Sequence, residues 1–155
     1  MATEDAREHA EPDAYSGVFG FEPGKAAYYA SEARLALGGR PNAQKAASGA
    51  QTALTLFSEA PPTEQCPEFL AAAQLDLAAA QLALGELDGA AEHLQAVFSL
   101  AAENRTQPIV GRMTKAEAVV ASPRYVRAAV TSDLLEQITL FRAYTANREL
   151  PALPS

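Results

Sequence analysis

Few residues in this chain have the type and spacing to do chemistry. In AAYYASEARLAL, the residues Tyr28, Tyr29, Glu32 and Arg34 bring two phenols, a carboxylate and a guanidinium close together. Tyr28 and Glu32 are four apart, so on a helix they share one face. A phenol and a carboxylate on one face can hold the polar head of a ligand or carry an acid–base step. The plainer reading makes the tyrosine a core residue and pairs Glu32 with an arginine. A second group, Arg112, Met113, Lys115, Arg124 and Tyr125, reads as a basic patch able to hold an anion or the acidic surface of a partner. A solvated helix face is the blander account of it.

The remaining reactive side chains are isolated. His9 lies among Glu4, Asp5, Glu8 and Glu11, which reads as a solvated acidic segment rather than a metal site. His93 stands beside Glu92 with no second histidine or cysteine at ligand spacing. Cys66, the single cysteine, allows no internal disulfide and falls at a helix N-cap, where a structural role is expected. No phosphate-cradling glycine loop, nucleophile elbow or dinucleotide fingerprint is present. The reading therefore assigns no catalytic residue, no metal and no cofactor.

The elements that must position these residues are helices. Alanine and leucine dominate and both favour helix, while no run of β-branched residues alternates with polar ones. Glycine and proline punctuation predicts about six helices: 25–37, 42–58, 68–84, 87–101, 108–121 and 132–147, the last capped by Ser132 and the fifth by Thr106. Residues 1–16 read as an acidic, partly disordered leader, 17–148 as the helical domain and 149–155 as a loose tail. Val18, Phe19 and Phe21 are expected to tuck under the first helix.

The helices come in similar antiparallel pairs. Ala78, Gly85, Ala90, Leu94 and Val97 have the spacing of a tetratricopeptide repeat, and Ser31, Gly38, Ala43, Ala47 and Ala50 occupy the corresponding places. Small residues are needed there because two helices joined by a short turn approach closely only where side chains are small. The expected fold is all-α, a tetratricopeptide-like helical repeat. By repeat position, Tyr28, Glu32 and Leu35 of the first helix and Leu75, Ala79 and Leu82 of the third line a concave groove.

The stretches FEPGKAAYYASEARLALG, LDLAAAQLALGELDGAAEHL and NRTQPIVGRM, followed by SPRYV and DLLEQITLF, carry a resemblance across roughly 17–141. They are similar to the C-terminal tetratricopeptide-like sensor domain of actinobacterial transcriptional regulators of the XRE helix-turn-helix class. NRTQPIV is the most specific part. The resemblance implies a regulatory or interaction module. No helix-turn-helix precedes position 17 here, so it does not imply a repressor, and the first end of the helical stack needs a cap from the leader or from a second copy.

Charge narrows the partners. Residues 1–104 carry 15 acidic and 5 basic side chains, whereas 105–155 carry 4 acidic and 7 basic ones. The scattered basic residues do not form the dense face that phosphate neutralisation needs, so direct nucleic-acid binding is not expected. Ala46 to Ser58, the longest uncharged stretch, is too short to cross a bilayer, and the cytoplasm is the default location. The expected function is binding of a protein segment or small effector in the groove, linked to transcriptional or pathway regulation. The alternatives are a small cofactor-free enzyme using the same pocket, with Glu32 or a tyrosine as its acid–base group, and a homodimerisation module.

Overall fold

Two glycine turns set how the first four helices lie. Gly38 and Gly39 take φ of 78° and 89°, and Gly85 takes 86°. In that region a Cβ crowds the neighbouring carbonyl, and glycine has none. The chain reverses within a few residues at each turn and lays the following helix back on its predecessor.

The computed structural model describes residues 22–146. They form six α-helices: α1 (Glu22–Leu37), α2 (Arg40–Glu59), α3 (Pro67–Ala83), α4 (Leu87–Phe98), α5 (Gln107–Val120) and α6 (Thr131–Ala143). Short 3-10 turns at Pro62–Glu64 and Ala102–Asn104 join α2 to α3 and α4 to α5. No strand occurs among the described residues, and no helix there is long and apolar enough to cross a membrane. The leader at 1–16, His9, Val18, Phe19, Phe21 and the tail at 149–155 lie outside the described residues.

Helix α3 is the hub: it packs against α1, α2, α4 and α5, while α1 meets α2, and α6 meets α5 and α4. Because neighbours surround it, its burial runs through Ala71, Ala72, Ala73, Leu75, Asp76, Leu77, Ala78, Ala80 and Leu82 instead of following one stripe. The flanking α2 is one-sided, burying Ala43, Ala46, Ala50, Ala53 and Phe57 at alternating spacings of three and four. Small residues bring α1 and α2 together. Ser31 is buried and donates its hydroxyl to the Ala46 carbonyl at 2.8 Å, and a Cβ on Gly49 would stand 3.4 Å from the Ala27 oxygen. Of the positions matched between the two pairs, only Ala47 is half-buried rather than buried or in a turn. The arrangement is compatible with stacked tetratricopeptide-like pairs.

Helix ends differ from the expected ones for identifiable reasons. α1 starts at Glu22 rather than Lys25, because proline is tolerated in a first turn. Gly24 is there for proximity: a Cβ would lie 2.6 Å from the Phe57 ring. α4 stops at Phe98 rather than Ala101. Arg105 gathers the carbonyls of Leu100 at 2.8 Å and Phe98 at 3.4 Å, then reaches across to Phe141 at 2.9 Å and Tyr144 at 3.0 Å. One guanidinium thus caps the C-termini of α4 and α6 and lies 4.2 Å over the Phe141 ring. Ser132 does not cap α6, which begins one residue earlier at Thr131; that buried hydroxyl donates to the Tyr125 carbonyl at 2.5 Å. Thr106 does hold the N-cap position of α5, but its hydroxyl donates to Glu68 at 2.9 Å and ties α5 to α3.

Candidate functional site

A helix packed on all sides has little room for charge, and α3 carries just one acid in its interior, Asp76, which is 4% exposed. A buried carboxylate requires a partner. Arg112 supplies it from α5. Ile109, Met113, Ala116 and Val120 turn one face of α5 into the core, and Arg112, at the edge of that stripe, points its head between α3 and α1. Nε donates to Asp76 Oδ1 at 3.2 Å and Nη1 to the Pro108 carbonyl at 3.1 Å. Nη2 donates to both the Tyr28 hydroxyl and Glu32 Oε2. The guanidinium also lies 5.0 Å from the centre of the Tyr28 ring.

Three helices therefore converge on one arginine. Its bonds to Asp76, Glu32 and Tyr28 span 36, 80 and 84 residues of sequence, so they join the basic end of the chain to the acidic one. Burial pushes the Asp76 carboxyl up to about 7 despite the opposing pull of Arg112. Burial likewise raises the Tyr28 hydroxyl above the usual phenol range, again against Arg112. Asp76 Oδ2 is shielded from solvent and has no hydrogen-bond partner.

A cleft of about 300 Å³ opens beside this network, bounded by Leu35, Ala36, Leu75 and Ala79 on its apolar side and by Glu32, Asp76, Arg112 and Lys115 on its polar side. On the other side of Arg112 a second cleft of about 310 Å³ runs past Tyr28, Tyr29, Phe69 and Ile109. Glu32 and Arg112 belong to both, and form the partition between them.

Of the expected groove residues, Glu32, Leu35, Leu75 and Ala79 line the first cleft. Tyr28 is 7% exposed and borders the second one, with its hydroxyl tied to Arg112. Leu82 belongs to the core instead, at 1% exposure. It is two turns beyond Leu75, but the groove does not extend that far: buried Tyr125, from the segment after α5, donates its hydroxyl to the Leu82 carbonyl. The expected basic patch divides. Arg112 and Lys115 face the first cleft, Met113 is buried, and Arg124 stands apart over the Tyr125 ring at 5.4 Å with Nη1 3.4 Å from the Ala83 carbonyl.

Asp76 was missing from the sequence-based site although a signal for it existed: a lone acid in the interior of a helix whose other interior residues, Gln74 and Gln81 apart, are all apolar. The other reactive residues stay local. His93 Nδ1 is 2.5 Å from Gln74 Oε1, and burial lowers its pKa. Cys66 occupies the N-cap of α3 without a side-chain capping bond. Among the described residues no three His, Cys, Asp or Glu side chains gather as metal ligands do.

The NRTQPIV segment also has a structural explanation here. Arg105 caps two helices, Thr106 ties α5 to Glu68, the proline falls in the first turn of α5, and Ile109 is buried. Comparison of the chain with known protein families, with curated proteins and with solved structures gives no match.

Proposed function

We propose that this chain is a non-catalytic regulatory or interaction module that holds a protein segment or small effector in the groove between α1, α3 and α5. One observation carries the reading: Arg112, Glu32, Asp76 and Tyr28 converge from three helices beside an apolar wall. A few fixed polar groups against apolar lining are what orient a bound molecule. The larger cleft of about 410 Å³ between α3 and α4 has only Gln74, Ser99 and Asn104 as polar side chains and offers less basis for selectivity. The likeness to regulator sensor domains supports a role in transcriptional or pathway control.

Capture of binding partners from a cell extract tests the reading, followed by affinity measurement with Glu32→Ala and Tyr28→Phe. At least a tenfold weakening is expected for Glu32→Ala; unchanged affinity in both variants removes the groove from the account. A second reading, a cofactor-free acid–base enzyme, is favoured by the Asp76 carboxyl near 7, where it can both give and take a proton. It requires substrate turnover that Asp76→Asn abolishes.

A further inference from the structure

The hydrogen-bonding capacity of the α1–α3–α5 cleft is unbalanced. Arg112 has five N–H groups, and four are engaged by Asp76, Pro108, Tyr28 and Glu32. The arginine is therefore nearly spent as a donor to any ligand. The acceptors are not spent: Asp76 lines the cleft and its Oδ2 has no partner, but that oxygen is shielded from solvent, so a ligand head reaches it only by displacing the side chains that cover it. Glu32, whose side chain is 39% exposed, stands at the same cleft. Lys115 is the remaining cation of the lining, and it is exposed, with a flexible stem that can swing its ammonium into water. A buried oxygen without a donor is costly, and a ligand N–H that reached it would recover that cost.

We infer that the cleft takes a small amphipathic amine, its ammonium head donating to Asp76 and Glu32 and its apolar body lying along Leu35, Ala36, Leu75 and Ala79. This rests on the groove reading above and names the ligand class for it. A cleft of about 300 Å³ is at the small end of ligand sites, which suits a compact molecule over a helix. An anionic ligand would meet two carboxylates and an arginine already committed to them. A neutral apolar molecule would leave Asp76 Oδ2 as it is.

The test is titration calorimetry on the protein with hexylamine, hexan-1-ol and hexanoate, which share a chain and differ in the head. Hexylamine is expected to bind at least tenfold more tightly than either of the others. Asp76→Asn should weaken hexylamine at least tenfold and leave hexan-1-ol unchanged, and Lys115→Ala should strengthen hexylamine a few-fold. Equal affinity for hexylamine and hexan-1-ol, tighter binding of hexanoate, or no hexylamine binding overturns the inference. A short alanine peptide with one central lysine presents the same head, and its tighter binding would overturn the small-molecule assignment. If Asp76→Asn fails to fold, the wild type still decides. A cation beside a carboxyl that is half protonated near pH 7 expels its proton, so binding in two buffers of different ionisation enthalpy should report release of up to about half a proton. No release contradicts the placement of the head. A preference for hexanoate removes the amine alone and leaves the groove reading standing, whereas failure of the groove itself appears as partner affinity indifferent to Glu32→Ala.

Discussion

Asp76 should make stability depend on pH in the direction opposite to an ordinary ion-paired carboxylate. Its folded pKa is raised from an ordinary 3.8 to about 7, with burial as the main cause. The folded state therefore holds a proton that the unfolded state has released at any pH between those values. Stability from this group is lowest above pH 7 and rises as pH falls toward 4, flattening below that. At about 1.4 kcal/mol per pH unit, the full window is worth about 4 kcal/mol, and moving from pH 8 to pH 5 yields roughly 2–3 kcal/mol. For a domain of this size that raises Tm by roughly 5–10 °C. The wild type alone is not the readout, because every pH-dependent contribution to its stability is summed in it. The assay is the difference in Tm between wild type and Asp76→Asn, followed by circular dichroism at pH 8, 7, 6 and 5. The wild type should gain on the variant by that amount across the series, since asparagine has no proton to exchange. A difference that stays constant with pH, or grows in the other direction, would refute the argument that burial outweighs Arg112 at this site.

Three further outcomes follow from the packing. Arg105→Ala should cost about 3 kcal/mol, read as a lower urea midpoint, because it strips a charged donor from carbonyls at the ends of two helices; Lys at this position should recover only part, lacking the planar fork. An unchanged midpoint would mean that water caps those helices equally well. Gly85→Ala should cost about 1–2 kcal/mol, since φ is 86° and the new Cβ would lie 2.6 Å from Arg124 Nη2; a gain in stability contradicts the turn geometry. Tyr125→Phe should cost about 1–2 kcal/mol by leaving the buried Leu82 carbonyl without that donor, and equilibrium unfolding in urea measures it.

The helices were legible because their punctuation is chemical. Gly38, Gly39 and Gly85 end helices by taking positive φ, and the small residues Ser31, Ala43, Ala50, Ala78 and Ala90 sit where helices meet. The ends were less legible where a distant residue decides them. Arg105 fixes the end of α4 from seven residues away, and Thr131 fixes the start of α6 by bonding backward to Tyr125. Half of the cleft was legible from repeat position alone, through Glu32, Leu35, Leu75 and Ala79. Arg112 was visible only as a basic residue, since nothing local announces a partner 80 positions away. The limit of the groove at Leu82 depends on Tyr125 folding over it, which periodicity within α3 cannot reveal.

The central claim is that the α1–α3–α5 cleft, rather than the larger one between α3 and α4, is the binding site. Fragment titration of isotope-labelled protein, followed residue by residue by NMR, tests it most directly. Shift changes are expected to concentrate at Leu35, Ala36, Leu75, Ala79 and the Arg112 side-chain N–H. Changes concentrated instead at Leu70, Ala71, Val97 and Leu100, the lining of the larger cleft, would contradict it.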